Sequence, residues 1–287
     1  MENCIGCPYF IKEWGKQTIG RIMANDRIKQ AVKENSKRQG GAQSIRRTIA
    51  ILRSVSKYNE TGARLSKIAK DVCLPPPTVH RILAVLLEEE FLFFDAAEKL
   101  YHLGTELYSL GTATQQFSIR DRFHTTLERI CRQTDNVIHL VIRSGYDGLC
   151  IDRTVGKSRV QVLGFDIGER RLLGIGAAGQ ALLSFLPEKQ REDILAANAP
   201  GYLKYYGIKV EKVRSWIKRT RKLKYSNSIH IVSLDSIGIG APIFNKRGQV
   251  VAAISMAGIT SRMTKEKCRK IAQIIKSEIA AVDPPPN

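Results

Sequence analysis

The stretch from Leu65 to Glu90, LSKIAKDVCLPPPTVHRILAVLLEEE, constrains the fold of this chain more than any other. Leu65, Ile68, Ala69 and Val72 stand at offsets 0, 3, 4 and 7, one stripe of a 3.6-residue period. Val79, Ile82, Leu83, Leu86 and Leu87 follow at offsets 0, 3, 4, 7 and 8. Between the two stripes stand Cys73, Leu74 and the prolines Pro75, Pro76 and Pro77. Proline lacks an N–H and crowds the preceding turn, so the first helix is expected to end there. The same residue is tolerated in the first turn of the next helix, where that N–H would be unpaired anyway. Two short helices about a tight turn form a helix-turn-helix, whose second helix presents its first residues to a DNA major groove. An ordinary helical hairpin is the plainer alternative.

The flanks fit the first reading. Upstream, Ile45, Ile49, Leu52 and Val55 suggest the apolar face of a third helix. Downstream, Phe91–Phe94 and Lys99–Leu103 are strand-like runs about a polar turn from Asp95 to Glu98. Three helices and a hairpin make a winged helix-turn-helix. Charge is distributed accordingly. The chain carries 46 Lys and Arg against 27 Asp and Glu, a net +19, which favours anionic partners. Residues 44–81 hold eight basic side chains against Glu60 and Asp71 only, whereas residues 82–117 hold Lys99 against six acids. The helix-turn-helix end of the small domain is therefore its positive end.

The most specific pieces of this region are Gln43-Ser44-Ile45-Arg46-Arg47, Thr78-Val79-His80-Arg81-Ile82-Leu83 and Tyr101-His102-Leu103-Gly104. On these the chain resembles the IclR family of bacterial transcription regulators, and the resemblance continues to about residue 281. It implies an α+β protein: a basic, flexible N-terminal arm (1–43), a winged helix-turn-helix DNA-binding domain (44–104), a linker helix (105–117) and a GAF-like effector-binding domain (118–287). Double-stranded DNA, a small carboxylate effector and a second copy of the chain, as a dimer or dimer of dimers, are the expected partners. No cofactor and no enzymatic activity are expected.

The DNA contacts expected on this basis are Ser44, Arg46 and Arg47 at the start of the first helix, Pro77, Thr78, His80 and Arg81 at the start of the recognition helix, and Lys99 and Tyr101 on the wing. Arginine can pair bidentately with guanine, and a hydroxyl beside free N–H groups suits a phosphate. Arg81 has an alternative as the anchor of an ion pair within the fold. Family members usually carry glycine where Cys73 stands and a small or basic residue where Pro76 and Pro77 stand.

The larger part of the chain alternates. An amphipathic helix at 118–134 is followed by strands at Val137–Arg143 and Leu149–Thr154, and a third strand is expected at Arg159–Gly164. Strands at Gly238–Phe244 and Val250–Gly258 form a later hairpin, and the helix from Thr264 to Ala281 carries Cys268, Ile271, Ile275 and Ile279 at core spacing. By resemblance the effector contacts are Leu163, Ala177, Ser228, Ser236, Gly238, Ser255 and Ala257; each serine has the alternative of an ordinary satisfied strand residue. Where Leu172, Gly174 and Gly176 stand, many relatives carry proline, histidine and Thr/Ser.

Other classes are less well supported. Gly174-Ile175-Gly176-Ala177-Ala178-Gly179 matches the GxGxxG of dinucleotide-binding folds, with Asp193 downstream, but no clean apolar strand precedes it. A nicotinamide enzyme and a ligand-independent regulator with a vestigial pocket are the alternatives. Of six cysteines only Cys4 and Cys7 have metal-ligand spacing, and no second CxxC completes a zinc site. The helix at 209–224 is basic around a Val210, Val213, Ile217, Thr220 face; a solvated surface and a contact with an acidic partner both fit it. Met23 is an alternative start. The first residues lack a secretory pattern and no run reaches the ~18 apolar residues of a membrane helix, so a cytoplasmic protein is expected.

Overall fold

The computed structural model describes residues 42–113, 115–158, 161–162, 165–232 and 235–283. The basic arm up to residue 41, Met23, the Cys4–Cys7 pair and Leu163 lie outside the described residues. Two compact units divide between Phe117 and Ser118.

The first unit opens with α1 (Gln43–Ser56), α2 (Leu65–Val72) and α3 (Pro76–Glu88) and ends on a hairpin of β1 (Leu92–Asp95) and β2 (Leu100–Leu103). Its core joins Ile51 and Val55 of α1, Ile68 and Val72 of α2, Val79 and Leu83 of α3, and Leu92 of β1. Each of these side chains contributes about 1.5–3 kcal/mol by leaving water. The buried face of α1 differs from the expected one. Ala50, Ile51, Ser54 and Val55 face inward, while Ile45 and Ile49 are 61% and 41% exposed. Both stripes have helical spacing, so spacing alone does not choose between them.

The turn also differs from expectation. Cys73, not proline, ends α2: it sits in the left-handed region at φ 53°, ψ 43°. The Leu74 N–H donates to the Ala69 carbonyl at 3.2 Å, closing the last turn, as a Schellman cap does. Pro75 then stands at the N-cap of α3 and Pro76 and Pro77 open it. In the hairpin Phe94 faces Tyr101 in register. Asn59, after α1, holds the wing strand through its side-chain oxygen, which accepts from the Leu103 N–H at 2.7 Å. A short helix α4 (Glu106–Thr112) follows.

The second unit contains α5 (Gln115–Thr134) from Ser118 onward, β3 (Val137–Ser144), β4 (Asp147–Thr154), β5 (Arg170–Leu172), α6 (Gly176–Phe185), α7 (Glu188–Tyr206), α8 (Val210–Leu223), β6 (Ser226–Ile229), β7 (Ser236–Phe244), β8 (Val250–Ile259) and α9 (Lys265–Val282). The sheet order is β5-β4-β3-β8-β7-β6, and every pair in it is antiparallel. Alternation then sorts the side chains. Ile138, Leu140, Ile239, Ala241 and Ile254 join Phe123 and Leu127 of α5 and Ile271 and Ile275 of α9 in one core. The alternate residues of β7 and β8 face the other way, where α6 packs.

Two elements lie away from their expected positions. Gln161 and Val162 are in no strand; the third strand of this part is β5, which pairs with the far edge of β4. The helix that the sequence suggests at Glu188–Asn198 continues through Pro200 to Tyr206 and ends on Gly207 in the left-handed conformation. α8 buries Val213, Trp216, Ile217 and Thr220, close to the expected face.

Candidate nucleic-acid interface and effector face

In the first unit the core fixes what is left outside. Val79, Leu83 and Leu86 point α3 into the interior, which leaves Pro77, His80 and Arg81 exposed and Thr78 half-buried at its N-terminal end. Arg81 has no ion pair or hydrogen bond among the described residues. At the start of α1, Ser44 and Arg46 are exposed and Arg47 is half-buried. The first α-helical bond there runs from Arg46 N–H to the Ala42 carbonyl at 3.1 Å, and no side chain caps this end. The preceding amides are the orphan donors of a helix N-terminus, a place suited to phosphate.

The wing gives a divided answer. Lys99 is exposed and held at φ 56° beside a turn in which Asp95 Oδ1 accepts from the Ala97 and Glu98 N–H groups. Tyr101, expected as a wing contact, is instead 7% exposed. Its ring lies 4.7 Å from that of Phe94, and burial raises its hydroxyl pKa. It is a core residue, because in this register its side chain falls on the face of the hairpin that covers the helices.

In the second unit, six of the seven expected effector positions lie within the described residues. Ser228 stands opposite Gly238, and Gly238 opposite Ala257. Gly240 stands between Ser226 and Ser255. Ser236 lies two residues before Gly238 on the same face of β7. The start of α6 rests on this face. A Cβ on Gly238 would come within 3.0 Å of Ala177 Cβ, and one on Gly240 within 2.9 Å of the Ala177 carbonyl carbon. Both glycines are thus required by the close approach of helix to sheet. Ser226, not singled out from the sequence, donates its hydroxyl to the Ala177 carbonyl at 2.6 Å and ties the first turn of α6 to the sheet edge. Its neighbour in β6, Ser228, carries no signal that would distinguish the two before the strand is placed. A cavity of about 570 Å³ opens among Tyr205, Lys209, Trp216 and Val232, and Val232 also flanks Gly176.

The glycine pattern belongs to this arrangement. Gly174 and Gly176 have φ of 96° and 72°, and α6 begins at Gly176. The strand before it is antiparallel to its neighbour, and Asp193 lies within α7. A dinucleotide fold needs a parallel βαβ unit with its acid at a strand end, which is absent among the described residues.

Residues 44–96 match the family described as the IclR helix-turn-helix domain, and residues 111–283 match Bacterial transcriptional regulator IclR C-terminal. The chain belongs to the IclR family. It is similar to the HTH-type transcriptional regulator KipR of Bacillus subtilis, at 31% identity over 217 residues, 74% of this chain and 85% of that one. It is similar to the HTH-type transcriptional repressor AllR of Escherichia coli K12, at 28% identity over 83% of this chain and 88% of that one. Among solved structures, an IclR homolog of Microbacterium hydrocarbonoxydans complexed with 4-hydroxybenzoate shares the fold, with a TM-score of 0.66, 20% identity and coverage of 82% and 99% of the two chains. This IclR-family protein is a DNA-binding transcription regulator with an effector-binding domain, and not an enzyme. No helix of the described residues is long and apolar enough to cross a membrane.

Proposed function

We propose that this IclR-family regulator acts in the cytoplasm, binding a pseudo-palindromic operator as a dimer or dimer of dimers, and that a small organic acid modulates it. The observation that carries the DNA half is the exposed Arg81, without an ion pair among the described residues, beside His80 on a recognition helix whose opposite face is locked in the core. Pro77, Thr78, Ser44, Arg46, Arg47 and Lys99 complete the proposed contact set, and Tyr101 is left out because it is buried. Two helices related by a two-fold axis would read half-sites about one turn of DNA apart. Exposed Ile45 and Ile49 on α1 and Tyr108 and Leu110 on α4 supply apolar surface for a second copy.

The effector half rests on the face where Ala177 at the start of α6 meets Gly238, flanked by Ser228, Ser236, Ser255 and Ala257. Leu163 belongs to the same proposed set by family resemblance. Amides at a helix N-terminus favour a carboxylate, and a ligand that binds one arrangement of the dimer better shifts the population toward it. Repression relieved or strengthened by the acid is the expected output.

The test is selection of DNA fragments by the full-length protein, followed by fluorescence anisotropy with a panel of organic acids. A two-fold symmetric site whose affinity falls steeply with salt and changes with one acid supports the reading. Binding without symmetry, or no response to any acid, removes the corresponding part.

A further inference from the structure

Gly207 ends α7 at φ 64°, and α8 starts three residues later at Val210. The Ile208 N–H donates back to the Tyr202 carbonyl at 3.1 Å and holds the reversal. Beside this turn lies the cavity of about 570 Å³, a volume ordinary for a ligand site. Tyr205 and Tyr206 line it from α7, Lys209, Lys212 and Trp216 from α8 and its N-cap, and His230 from the segment after β6. Neither Ala177 and Gly238 nor the serines of the effector face belong to its walls.

The chemistry of the cavity is divided along α8. Lys209, Lys212 and Trp216 stand at offsets 0, 3 and 7, one stripe of the helix. The two lysines lie at its N-terminal end, which no side chain caps and where the macrodipole is positive. Both are exposed, and neither has an ion pair or a side-chain hydrogen bond among the described residues. Glu211, the acid of the first turn, does not line the cavity. Trp216, ~10 Å further along the axis from Lys209, is 8% exposed and supplies an aromatic wall.

Cations at one end and rings at the other fit a ligand whose anionic group and planar ring are held apart by a spacer. Two ammonium groups and a helix N-terminus match a phosphate monoester, with close to two negative charges near neutral pH, better than a carboxylate with one. Aromatic side chains give a base a surface to stack on, whatever its identity.

We propose that this cavity is a nucleotide-binding site. Lys209, Lys212 and the first amides of α8 take the phosphate, and the base lies against Trp216 and the tyrosines of α7. The inference does not rest on the effector reading above and adds a second ligand to it. The two places are neighbours: Val232 in the cavity wall is 3.7 Å from where a Cβ on Gly176 would stand. The test therefore separates them.

The experiment is calorimetric titration of the full-length protein with adenosine, guanosine and uridine 5′-monophosphates. Each is compared with its nucleoside, which lacks the phosphate, and with ribose 5-phosphate, which lacks the base. At least one nucleotide is expected to bind about tenfold more tightly than both comparators. The preference over the nucleoside should vanish when Lys209→Ala and Lys212→Ala are combined, and the preference over ribose 5-phosphate in Trp216→Leu. Should Trp216→Leu not fold, Trp14→Phe leaves Trp216 the sole tryptophan of the chain, and the nucleotide should quench its emission. Equal binding of all three probe types, unquenched emission, or a preference over the nucleoside that survives the lysine changes overturns the proposal. Nucleotide binding lost in Ser255→Ala and kept in the lysine variant places the ligand on the effector face and overturns it as well. Binding of organic acids is measured separately, so either reading can fail while the other stands.

Discussion

The Tyr58 hydroxyl donates to Asp71 Oδ2 at 3.0 Å, joining the segment after α1 to the last turn of α2. Asp71 also accepts from Ser54 Oγ at 3.3 Å and pairs with Lys57 Nζ at 3.7 Å, and its side chain is 11% exposed. This carboxylate fixes the helix that precedes the recognition helix. Tyr58→Phe should cost about 1 kcal/mol and Asp71→Ala about 2 kcal/mol, since the second change strands several donors. Urea denaturation of both variants checks the order; equal losses would show that the carboxylate has no role beyond Tyr58.

Cys73 holds a conformation that suits glycine. At φ 53° a Cβ carries a steric cost, and Cys73 is exposed, so little packing is lost on its removal. Cys73→Gly should stabilise the first unit by about 0.5–1 kcal/mol, the left-handed strain outweighing the added freedom of the unfolded chain. A lower melting temperature for this variant would contradict the cap geometry.

Arg81 and Lys99 should differ in kind. If Arg81 reads a base, Arg81→Ala should weaken the selected operator by about 1–3 kcal/mol and relax one position of the site. Lys99→Ala should weaken all sequences alike and lower the salt slope by about 1. Anisotropy titrations at several salt concentrations separate the two; unchanged affinity in Arg81→Ala would exclude it as a contact.

His139 makes stability pH-dependent. Its pKa is about 3 in the folded protein against 6.5 when exposed. The unfolded chain therefore binds the proton first as pH falls. Its contribution is complete above about pH 6.5 and shrinks below that by about 1.4 kcal/mol per pH unit, until pH approaches 3. Between pH 7 and pH 5 the loss is about 2 kcal/mol. Other groups titrate in the same range, so the difference between wild type and His139→Phe is the quantity to follow. A constant difference from pH 7 to pH 5 would show that the histidine is not held neutral.

Gly240→Ala should destabilise the second unit by about 1–3 kcal/mol, because its Cβ would meet Ser226 Oγ at 2.8 Å and the Ala177 backbone at 2.9 Å. Gly238→Ala meets a side-chain methyl at 3.0 Å and should cost less. Thermal denaturation of both tests whether α6 rests on the sheet as described.

The local pattern of the chain was enough for several elements. The stripes at Leu65–Val72 and Val79–Leu87, the turn between them and the Asp95–Glu98 hairpin depend on residues a few positions apart, and the structure places helices and strands there. The faces of α5 and α9 were equally legible, because Phe123, Leu127, Ile271 and Ile275 form single apolar stripes among charged residues. Motif-level resemblance offered a set of expected effector positions, but not the strand register that puts Ser228, Gly238 and Ala257 in one row.

What the sequence determined by itself, then, is period and punctuation: where helices run, where they stop within a few residues, and which end of the small unit is basic. Tertiary structure decided what depends on partners far along the chain. It chose Ile51 over Ile45 as the inward residue of α1, placed Tyr101 in the core and not on the wing surface, and made Cys73 the helix stop. It formed β5 and β6, of three and four residues, whose pairing with distant strands outweighs their weak local signal. It also brought His139, Phe165, Arg171 and Gly176 together across more than thirty positions of sequence. Burial and strand register are properties of the assembled sheet, and no local window contains them.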